Sequence, residues 1–150
     1  MAITIPSPQP DGSLMMHATA VAIDGRGVLI CGPSGSGKSS LALQLMALGA
    51  DLIADDATIL RADLRGLHLS AHANIAGRIE AAGVGILNAA TVQNIPCALC
   101  IDLGTSESAR LPQRRSVRLL DQDVPMLHSV ANGVFAAAVM QYMKAGRSTP

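Results

Sequence analysis

The residues best suited to chemistry form a glycine-rich stretch that reads GPSGSGKS from Gly32 to Ser39. It lies between an apolar run, Val28 to Cys31, and a helix-like run that begins at Ser40. Glycines allow the backbone to fold tightly, so that successive N–H groups can face the phosphates of a nucleotide at the positive end of the following helix. In such a loop Lys38 would reach the β- and γ-phosphates, and the Ser39 hydroxyl would hold Mg²⁺. The stretch therefore predicts a nucleotide site, and we name residues 32–39 the phosphate loop.

The alternative for the phosphate loop is an ordinary glycine-rich turn between a strand and a helix. The spacing of the glycines, the Lys-Ser pair, and the flanking strand and helix together favour nucleotide binding. The predicted nucleotide contacts are Gly32, Pro33, Ser34, Gly35, Ser36, Gly37, Lys38, Ser39 and Ser40.

Transfer or hydrolysis of a γ-phosphate also requires a carboxylate that orders Mg²⁺ or activates the attacking oxygen. The pair Asp55-Asp56 ends a predicted strand at residues 51–54, and ligands of open α/β sheets gather at the carboxyl ends of strands. Because side chains alternate along a strand, one of the two would face the phosphates while the other supports it or binds metal. The alternative is that both only terminate the strand. Glu80 is a second candidate, and Asp102, which follows an apolar run, is a rival Mg²⁺ ligand.

The histidine and arginine positions are less specific. His17 opens a predicted strand that leads towards the phosphate loop, where a lone histidine is usually structural or faces solvent. The segment 104–118 contains four arginines with Glu107 as its only acid. It is either a solvated loop or a clamp for a phosphorylated group or an acidic partner surface. The four arginines are Arg110, Arg114, Arg115 and Arg118.

Composition restricts the function classes. The formal net charge is zero and the pI is about 6.9, so the chain lacks the basic character typical of a nucleic-acid binder. Its hydrophobic content is 49 %, yet no apolar stretch approaches the roughly 20 residues that cross a bilayer. The first residues do not combine a basic segment with an apolar block, as a secretion signal would. We therefore predict a cytoplasmic protein with no nucleic-acid or membrane partner.

The three cysteines, Cys31, Cys97 and Cys100, are too few for a disulfide framework. Cys97 and Cys100 form a CxxC pattern, which can indicate zinc or redox chemistry. They lie in a predicted buried strand, where residues three apart face opposite sides. The pattern therefore favours packing over a metal or redox site.

The order of elements predicts an α/β domain with a mixed central sheet and flanking helices. We expect a flexible N-terminal segment at residues 1–13, one domain at 14–145 and a short tail at 146–150. Within the domain, the pattern predicts strands at 16–24, 28–31, 51–54 and 97–103, helices at about 38–48 and 133–144, and a helix-like start to the segment 75–88.

Four segments occur in an order and at intervals that resemble the bacterial HPr kinase/phosphorylase family. They are HATAVAIDGRGVLI from His17, the phosphate loop, LIADDATIL around Asp55 and Asp56, and IEAAGVGILN around Glu80. The resemblance runs from about residue 16 to residue 127 and is closer to the short form that lacks an N-terminal domain. It implies a P-loop kinase core similar to the C-terminal domain of those enzymes.

The resemblance also implies roles for individual residues. It implies that the phosphate loop binds ATP and that Ser39 and Glu80 ligate Mg²⁺. The position of Asp56 corresponds to the base that takes the proton from the acceptor serine and that acts as the acid in the reverse reaction. The active-site residues expected on these grounds are His17, Lys38, Asp55, Asp56 and Arg110.

The implied activity is ATP- and Mg²⁺-dependent phosphorylation of a serine on the phosphocarrier HPr, together with phosphorolysis of phosphoserine-HPr, in the regulation of carbohydrate metabolism. The implied assembly is a ring-like homo-oligomer such as a hexamer. Two positions depart from the family pattern: Ala82 stands where an arginine is usual, and Ser40 where an acid is usual. They leave open a nucleotide-binding sensor without transfer activity. A small-molecule kinase is the third alternative, because the motifs indicate where the γ-phosphate binds but do not identify the molecule that accepts it.

Overall fold

A computed structural model describes residues 6–148. Within this range the helices are α1 (Lys38–Ala47) and α2 (Phe135–Ala145). The strands, in chain order, are β1 (Ser7–Pro8), β2 (Leu14–Met16), β3 (Thr19–Ile23), β4 (Arg26–Cys31), β5 (Asp51–Ala54), β6 (Thr58–Asp63), β7 (Gly66–Ala71), β8 (Arg78–Ala81), β9 (Gly85–Asn88), β10 (Ile95–Ser106), β11 (Arg115–Leu119) and β12 (Gln122–Ser129).

Ten of these strands form one mixed sheet, and β8 and β9 form a separate hairpin. The sheet order is β1-β2-β6-β7-β10-β4-β3-β5, and β12 with β11 branches from β10. The long strand β10 runs parallel to β4 and β12 and antiparallel to β7, whereas the remaining pairs are antiparallel. The predicted α/β architecture with a mixed sheet and flanking helices is therefore confirmed.

The central strands separate two hydrophobic cores. Side chains alternate along β3 and β4, so Ala20, Ala22, Leu29 and Cys31 face one core while their neighbours face the other. The first core lies between the central strands and the β2-β6-β7 part of the sheet. The second lies under α1 and α2, where Leu45, Val139 and Met143 are at most 1 % exposed. Burial on both faces holds the end of β4 rigid, and this is where the phosphate loop begins.

The predicted helix-like start at 75–88 is wrong, because β8 and β9 form a hairpin there. Burial along β8 alternates with a period of two: Ile79 and Ala81 are buried, and Arg78 and Glu80 are exposed. The turn between the strands includes Gly83 with a φ of 80°, and β9 begins at Gly85 with a φ of 131°. L side chains rarely adopt these backbone conformations, so the glycines interrupt the helix that the alanines favour.

The assumption that Cys97 and Cys100 face opposite sides is also wrong. The register of β10 against β4 shifts between Cys97 and Leu99, and this irregularity places both cysteines against the same core, next to Cys31. The Sγ atoms of Cys31 and Cys100 are 3.6 Å apart, and all three thiols are free. Burial raises the pKa of Cys97 to about 12, which disfavours the reactive thiolate. Among residues 6–148 no cluster of three metal-ligating side chains occurs, and we assign the thiols to packing.

The chain ends beyond the central domain make contacts of their own. In the N-terminal segment β1 pairs with β2, and the Asp11 carboxylate accepts hydrogen bonds from Ser13 and Arg61. In the C-terminal segment Arg147 donates a hydrogen bond to the carbonyl of Pro112. The predicted flexible segment and tail include residues 1–5 and 149–150, which lie outside the described range.

Neither helix within the described range is long and apolar enough to span a membrane.

Candidate functional site

A cleft of about 470 Å³ opens where β4 meets α1 and where β5 ends. Strands β4 and β5 run in the same direction because each is antiparallel to β3, so their carboxyl ends meet at one edge of the sheet. The tip of the β8–β9 hairpin closes the cleft on another side. The lining residues are His17, Ser34, Gly35, Gly37, Lys38, Ser39, Ser40, Asp55, Asp56, Glu80 and Ala82.

The phosphate loop joins β4 to α1, which is the strand–loop–helix context that its sequence predicts. Gly32, Gly35 and Gly37 have φ values of 144°, 80° and 98°, so the loop depends on glycine at these positions. A Cβ at Gly32 would also lie 2.7 Å from the Ser36 hydroxyl oxygen. That hydroxyl is buried and has no hydrogen-bond partner in the structure. The N-terminus of α1 carries no side-chain cap, so its first N–H groups are free to bind an anion.

Lys38 is largely buried beneath the phosphate loop, with 8 % of its surface exposed. Its Nζ donates hydrogen bonds to the carbonyls of Gly32 at 2.9 Å and Pro33 at 3.2 Å. These bonds hold the ammonium at the edge of the cleft. Because an ammonium has three N–H donors, one stays available for an oxygen of a bound phosphate.

Asp55 connects three elements at the base of the cleft. Its Oδ1 accepts hydrogen bonds from the Ser39 hydroxyl at 2.6 Å and from the Thr19 hydroxyl at 3.0 Å. Its Oδ2 accepts a hydrogen bond from the backbone N–H of Glu80 at 3.0 Å. One carboxylate thereby positions the start of α1, the start of β3 and the hairpin strand β8 relative to one another.

Asp56 lies at the open mouth of the same cleft. Its Oδ1 is 3.0 Å from the Nδ1 of His17, and the side chains are 69 % and 59 % exposed. Asp56 has a φ of 67°, a left-handed conformation that follows the end of β5. Strand alternation therefore stops at Asp55, and both carboxylates line the cleft, one at its base and the other at its mouth.

His17 reaches Asp56 because the predicted continuous strand at 16–24 is broken. Strand β2 ends at Met16 and β3 begins at Thr19, and the N–H of Ala18 bonds the Met16 carbonyl at 2.9 Å. The bend exposes His17 on the cleft side, whereas Met16 and Ala18 are fully buried.

The oxygen atoms at the base of the cleft suit Mg²⁺, which binds proteins through few carboxylate or hydroxyl ligands and keeps water or phosphate oxygens for the rest. Ser39 and Glu80 both line the cleft, and Asp55 accepts hydrogen bonds from the Ser39 hydroxyl and from the Glu80 backbone N–H. The Glu80 side chain is exposed, and its carboxylate has no hydrogen-bond or ion-pair partner among the described residues. This donor set fits the metal that the sequence predicts.

Two other predicted residues stand apart from the cleft. Arg110 is exposed in the segment after β10 and is not among the residues that line the cleft. Asp102 is fully buried, and its oxygens accept hydrogen bonds from the Gly104 N–H and the Thr105 hydroxyl, both at 2.9 Å. Both Asp102 oxygens are thus bonded within the irregular end of β10, so the structure favours Asp55 over Asp102 as the acid beside the phosphate loop.

Thr19 is a site residue that the sequence did not single out. It is fully buried, its hydroxyl donates to Asp55, and its oxygen lies 3.4 Å from the backbone N–H of Asp56. One side chain thus contacts both members of the aspartate pair. The only sequence signal was its position two residues after His17 on a strand that leads towards the phosphate loop.

Comparisons with known proteins identify the family of this chain. The family model described as HPr Serine kinase C-terminal domain matches residues 12–97, more than half of the chain. A protein from Brevibacillus brevis named HPr kinase/phosphorylase is 33% identical over 125 residues, covering 75% of this chain and 40% of the relative. A protein of the same name from Listeria monocytogenes is 44% identical over 80 residues, covering 53% of this chain and 26% of the relative. The chain therefore spans well under half the length of these relatives.

A solved structure has the same fold. The HPr(Ser) kinase/phosphatase from Coxiella burnetii matches with a TM-score of 0.73 at 24% sequence identity, covering 87% of this chain and 88% of that one. The family match contains the phosphate loop, the aspartate pair and the β8–β9 hairpin, which are the parts of the chain that form the cleft. On these grounds the chain belongs to the HPr serine kinase C-terminal domain family.

Proposed function

We propose that this chain is an ATP- and Mg²⁺-dependent protein serine kinase that phosphorylates an HPr-like phosphocarrier. The observation that carries the proposal is that two adjacent carboxylates occupy different positions in the cleft. Asp55 bonds the Ser39 hydroxyl at 2.6 Å at the base of the cleft, and Asp56 stands at its mouth beside His17. Phosphoryl transfer to an alcohol uses one group to order the metal and phosphates and another to accept the alcohol proton.

The nucleotide half of the site consists of the phosphate loop and the start of α1. Backbone N–H groups of the loop bind the phosphates, and Lys38 neutralises the charge of the β- and γ-phosphates. Ser39 and Glu80 hold Mg²⁺, which when bound stabilises negative charge on the phosphate oxygens. Asp55 orients Ser39 through their hydrogen bond and keeps the hairpin that carries Glu80 beside the loop.

The acceptor half of the site consists of Asp56 and His17. Asp56 accepts the proton of the incoming serine hydroxyl, and in the reverse direction the protonated carboxyl returns it. His17 fixes the orientation of the carboxylate from 3.0 Å. Because Asp56 is 69 % exposed at an open mouth, a serine on the surface of another protein can reach it without the closure of a lid.

Membership of the family supports five further parts of the proposal. We propose that the protein acts in the cytoplasm, that it regulates carbohydrate metabolism or phosphotransferase signalling, and that it forms a homo-oligomer such as a hexamer. We also propose that phosphorolysis is a second activity, and that Arg110 joins the active site when the carrier is bound.

One observation favours a second candidate, a nucleotide-binding sensor without transfer activity. Ala82 lines the cleft where the family pattern has an arginine, so this side of the site lacks one cation for the phosphate oxygens. A guanidinium commonly stabilises the charge of such a transition state. The sensor would keep nucleotide binding and lose turnover.

The experiment is incubation of the purified protein with γ-labelled ATP, Mg²⁺ and purified HPr. The control is HPr whose acceptor serine is replaced by alanine. Label on HPr that is absent from the alanine variant is the expected result. ATP binding without labelled HPr would favour the sensor, and label on a metabolite in a cell extract, with none on protein, would favour a small-molecule kinase.

Replacing Thr19 with valine should lower kcat about tenfold while ATP affinity changes little. Valine keeps the branched shape but removes the hydrogen bond to Asp55, and a hydrogen bond to a charged group contributes about 1.5–3 kcal/mol. Steady-state transfer assays that separate kcat from KM, together with nucleotide titration, check this prediction.

Thr19→Ser is the matched control for this substitution, since it restores the hydroxyl and should recover most of the lost kcat. If the valine variant turns over at the wild-type rate, or if serine and valine reduce kcat equally, Thr19 does not position the aspartate pair.

A further inference from the structure

A second concavity of about 230 Å³ lies on a different part of the molecule from the cleft. It is formed by β11, β12, α2 and the residues just after α2, and none of its lining residues lines the cleft. Its lining residues include Arg114, Arg115 and Arg147, and we name it the arginine pocket. The proposed kinase activity gives this feature no role.

The three arginines converge from separate parts of the chain. Arg114 precedes β11, Arg115 begins it, and Arg147 follows the C-terminus of α2. Residues so far apart in sequence face one concavity only because β11 and the end of α2 are brought together by the fold. The arginine-rich segment that the sequence leaves open as a solvated loop or a clamp therefore contributes to a shaped pocket.

Two of the guanidiniums are held in place by contacts of their own. Arg115 bonds Glu107 through Nε at 3.3 Å and through Nη2 at 3.2 and 3.1 Å, and the Glu107 side chain is 7% exposed. Hydrogen bonding from Arg115 is the main cause that lowers the pKa of Glu107, so the pair stays ionic. Arg147 is held by the carbonyl of Pro112. Each guanidinium has five N–H donors, so both keep donors for a further acceptor.

The pocket retains positive charge after its ion pairs are counted. Arg114 has no hydrogen-bond or ion-pair partner within residues 6–148. The acid of the lining, Asp123, pairs with Arg118 at 3.0 Å, outside the arginine pocket. Glu107 neutralises Arg115, which leaves Arg114 and Arg147 without a carboxylate partner in this range. Fixed guanidiniums of this kind suit bidentate binding of a phosphate or carboxylate.

The floor of the arginine pocket is apolar. This floor is made of Pro125, Leu127 and Tyr142. Leu127 and Tyr142 pack against the second core, whereas the side chain of the intervening strand residue Met126 packs in the first core. The Tyr142 hydroxyl has no hydrogen-bond partner among the described residues and adds a polar group to the lining of the arginine pocket. Ligand sites usually combine apolar walls with a few polar groups. A ligand that contacts both the arginines and the apolar floor therefore has an anionic group and an apolar body.

We propose that the arginine pocket binds a small organic anion in which a phosphate or carboxylate is joined to an apolar or aromatic body. Arg114 and Arg147 bind the anionic group, and the floor around Leu127 and Tyr142 binds the apolar body. This site is separate from the nucleotide cleft and does not depend on the proposed kinase activity.

Tyr142 gives a local probe for the test, because it is the single tyrosine of the chain. Protein labelled with 3-fluorotyrosine has one ¹⁹F resonance from the amino-acid chain, and this resonance reports the arginine pocket. The probe ligands are phenyl phosphate, benzoate and inorganic phosphate, each titrated into the protein of 150 residues. We expect a saturable shift with phenyl phosphate or benzoate, and a midpoint at least about tenfold higher with inorganic phosphate.

The matched variants change the same number of charges. Arg114→Gln with Arg147→Gln should raise the midpoint for phenyl phosphate about tenfold or more, since hydrogen bonds between charged groups are lost. Arg26→Gln with Arg65→Gln replaces two exposed arginines elsewhere and should leave the midpoint unchanged. Thermal melting of both double variants checks that they remain folded. If the Arg114/Arg147 double variant does not fold, the single variant Arg114→Gln replaces it in the titration, because Arg114 has no hydrogen-bond or ion-pair partner within residues 6–148.

Three results would overturn the proposal. One is a ¹⁹F resonance that does not shift with either organic anion. Another is an equal midpoint in the two double variants. The last is an equal titration midpoint for inorganic phosphate and phenyl phosphate, which would show that the apolar body of the ligand contributes nothing to binding.

Discussion

Replacing Asp56 with asparagine is expected to lower kcat for serine phosphorylation about 10²- to 10⁴-fold, the usual contribution of a general base. Asparagine has nearly the same shape and still accepts a hydrogen bond from His17, but its amide cannot take the proton from the incoming hydroxyl. Affinity for Mg²⁺-ATP should stay within about threefold of wild type, because Asp55 and not Asp56 bonds Ser39. Transfer of label to HPr at saturating ATP, with calorimetric titration of the nucleotide, measures both quantities.

Asp51→Asn is a suitable control for the Asp56 variant. Asp51 is an exposed acid at the start of β5, the strand that leads to Asp56, and it does not line the cleft. Its replacement makes the same change in net charge and should leave turnover unaffected. Wild-type turnover in the Asp56 variant would remove Asp56 as the base and, with it, the proposed acceptor half of the site.

Replacing Lys38 with alanine should weaken Mg²⁺-ATP binding about tenfold to a hundredfold and abolish detectable transfer. Lys38 is the one lysine or arginine among the described residues that line the cleft, so the substitution removes its fixed positive charge. A hydrogen bond from a charged group contributes about 1.5–3 kcal/mol, which corresponds to this range of affinity. Calorimetric titration measures the loss.

Lys144 supplies the control, as it is the other lysine of the chain and lies exposed at the end of α2. Lys144→Ala should bind ATP like the wild type. Because Lys38→Ala leaves the carbonyls of Gly32 and Pro33 without their donor, thermal melting and a second variant, Lys38→Met, separate misfolding from lost phosphate contact. Undiminished ATP affinity in folded Lys38 variants would contradict nucleotide binding by the phosphate loop.

The parts of the cleft that could be predicted from the sequence depend on local pattern. The glycine spacing of the phosphate loop and the apolar strand before it are contiguous in sequence, and the structure has the expected strand, loop and helix there. The aspartate pair was predictable at the end of a strand for the same reason. The different environments of Asp55 and Asp56 could not be predicted, because they depend on the left-handed conformation of Asp56 and on the break in the strand at His17.

The features that the sequence did not predict depend on contacts between distant residues. The alanine-rich stretch around Glu80 has helical propensity, but the positive φ values at Gly83 and Gly85 and the pairing of β8 with β9 override it. Thr19 gave no signal of its own, since its hydroxyl matters only because the fold brings Asp55 within 3.0 Å. The convergence of Arg114 and Arg115 with Arg147 likewise requires the packed position of α2.

A crystal structure of this protein with Mg²⁺ and a non-hydrolysable ATP analogue tests whether the cleft binds the nucleotide as proposed. The proposed function predicts that the β- and γ-phosphates lie within the phosphate loop and contact Lys38. It also predicts the metal on the Ser39 hydroxyl and the Glu80 carboxylate, and Asp56 facing the γ-phosphate from the open mouth. A nucleotide bound elsewhere, a cleft that stays empty at saturating analogue, or both aspartates turned away from the phosphates would contradict it.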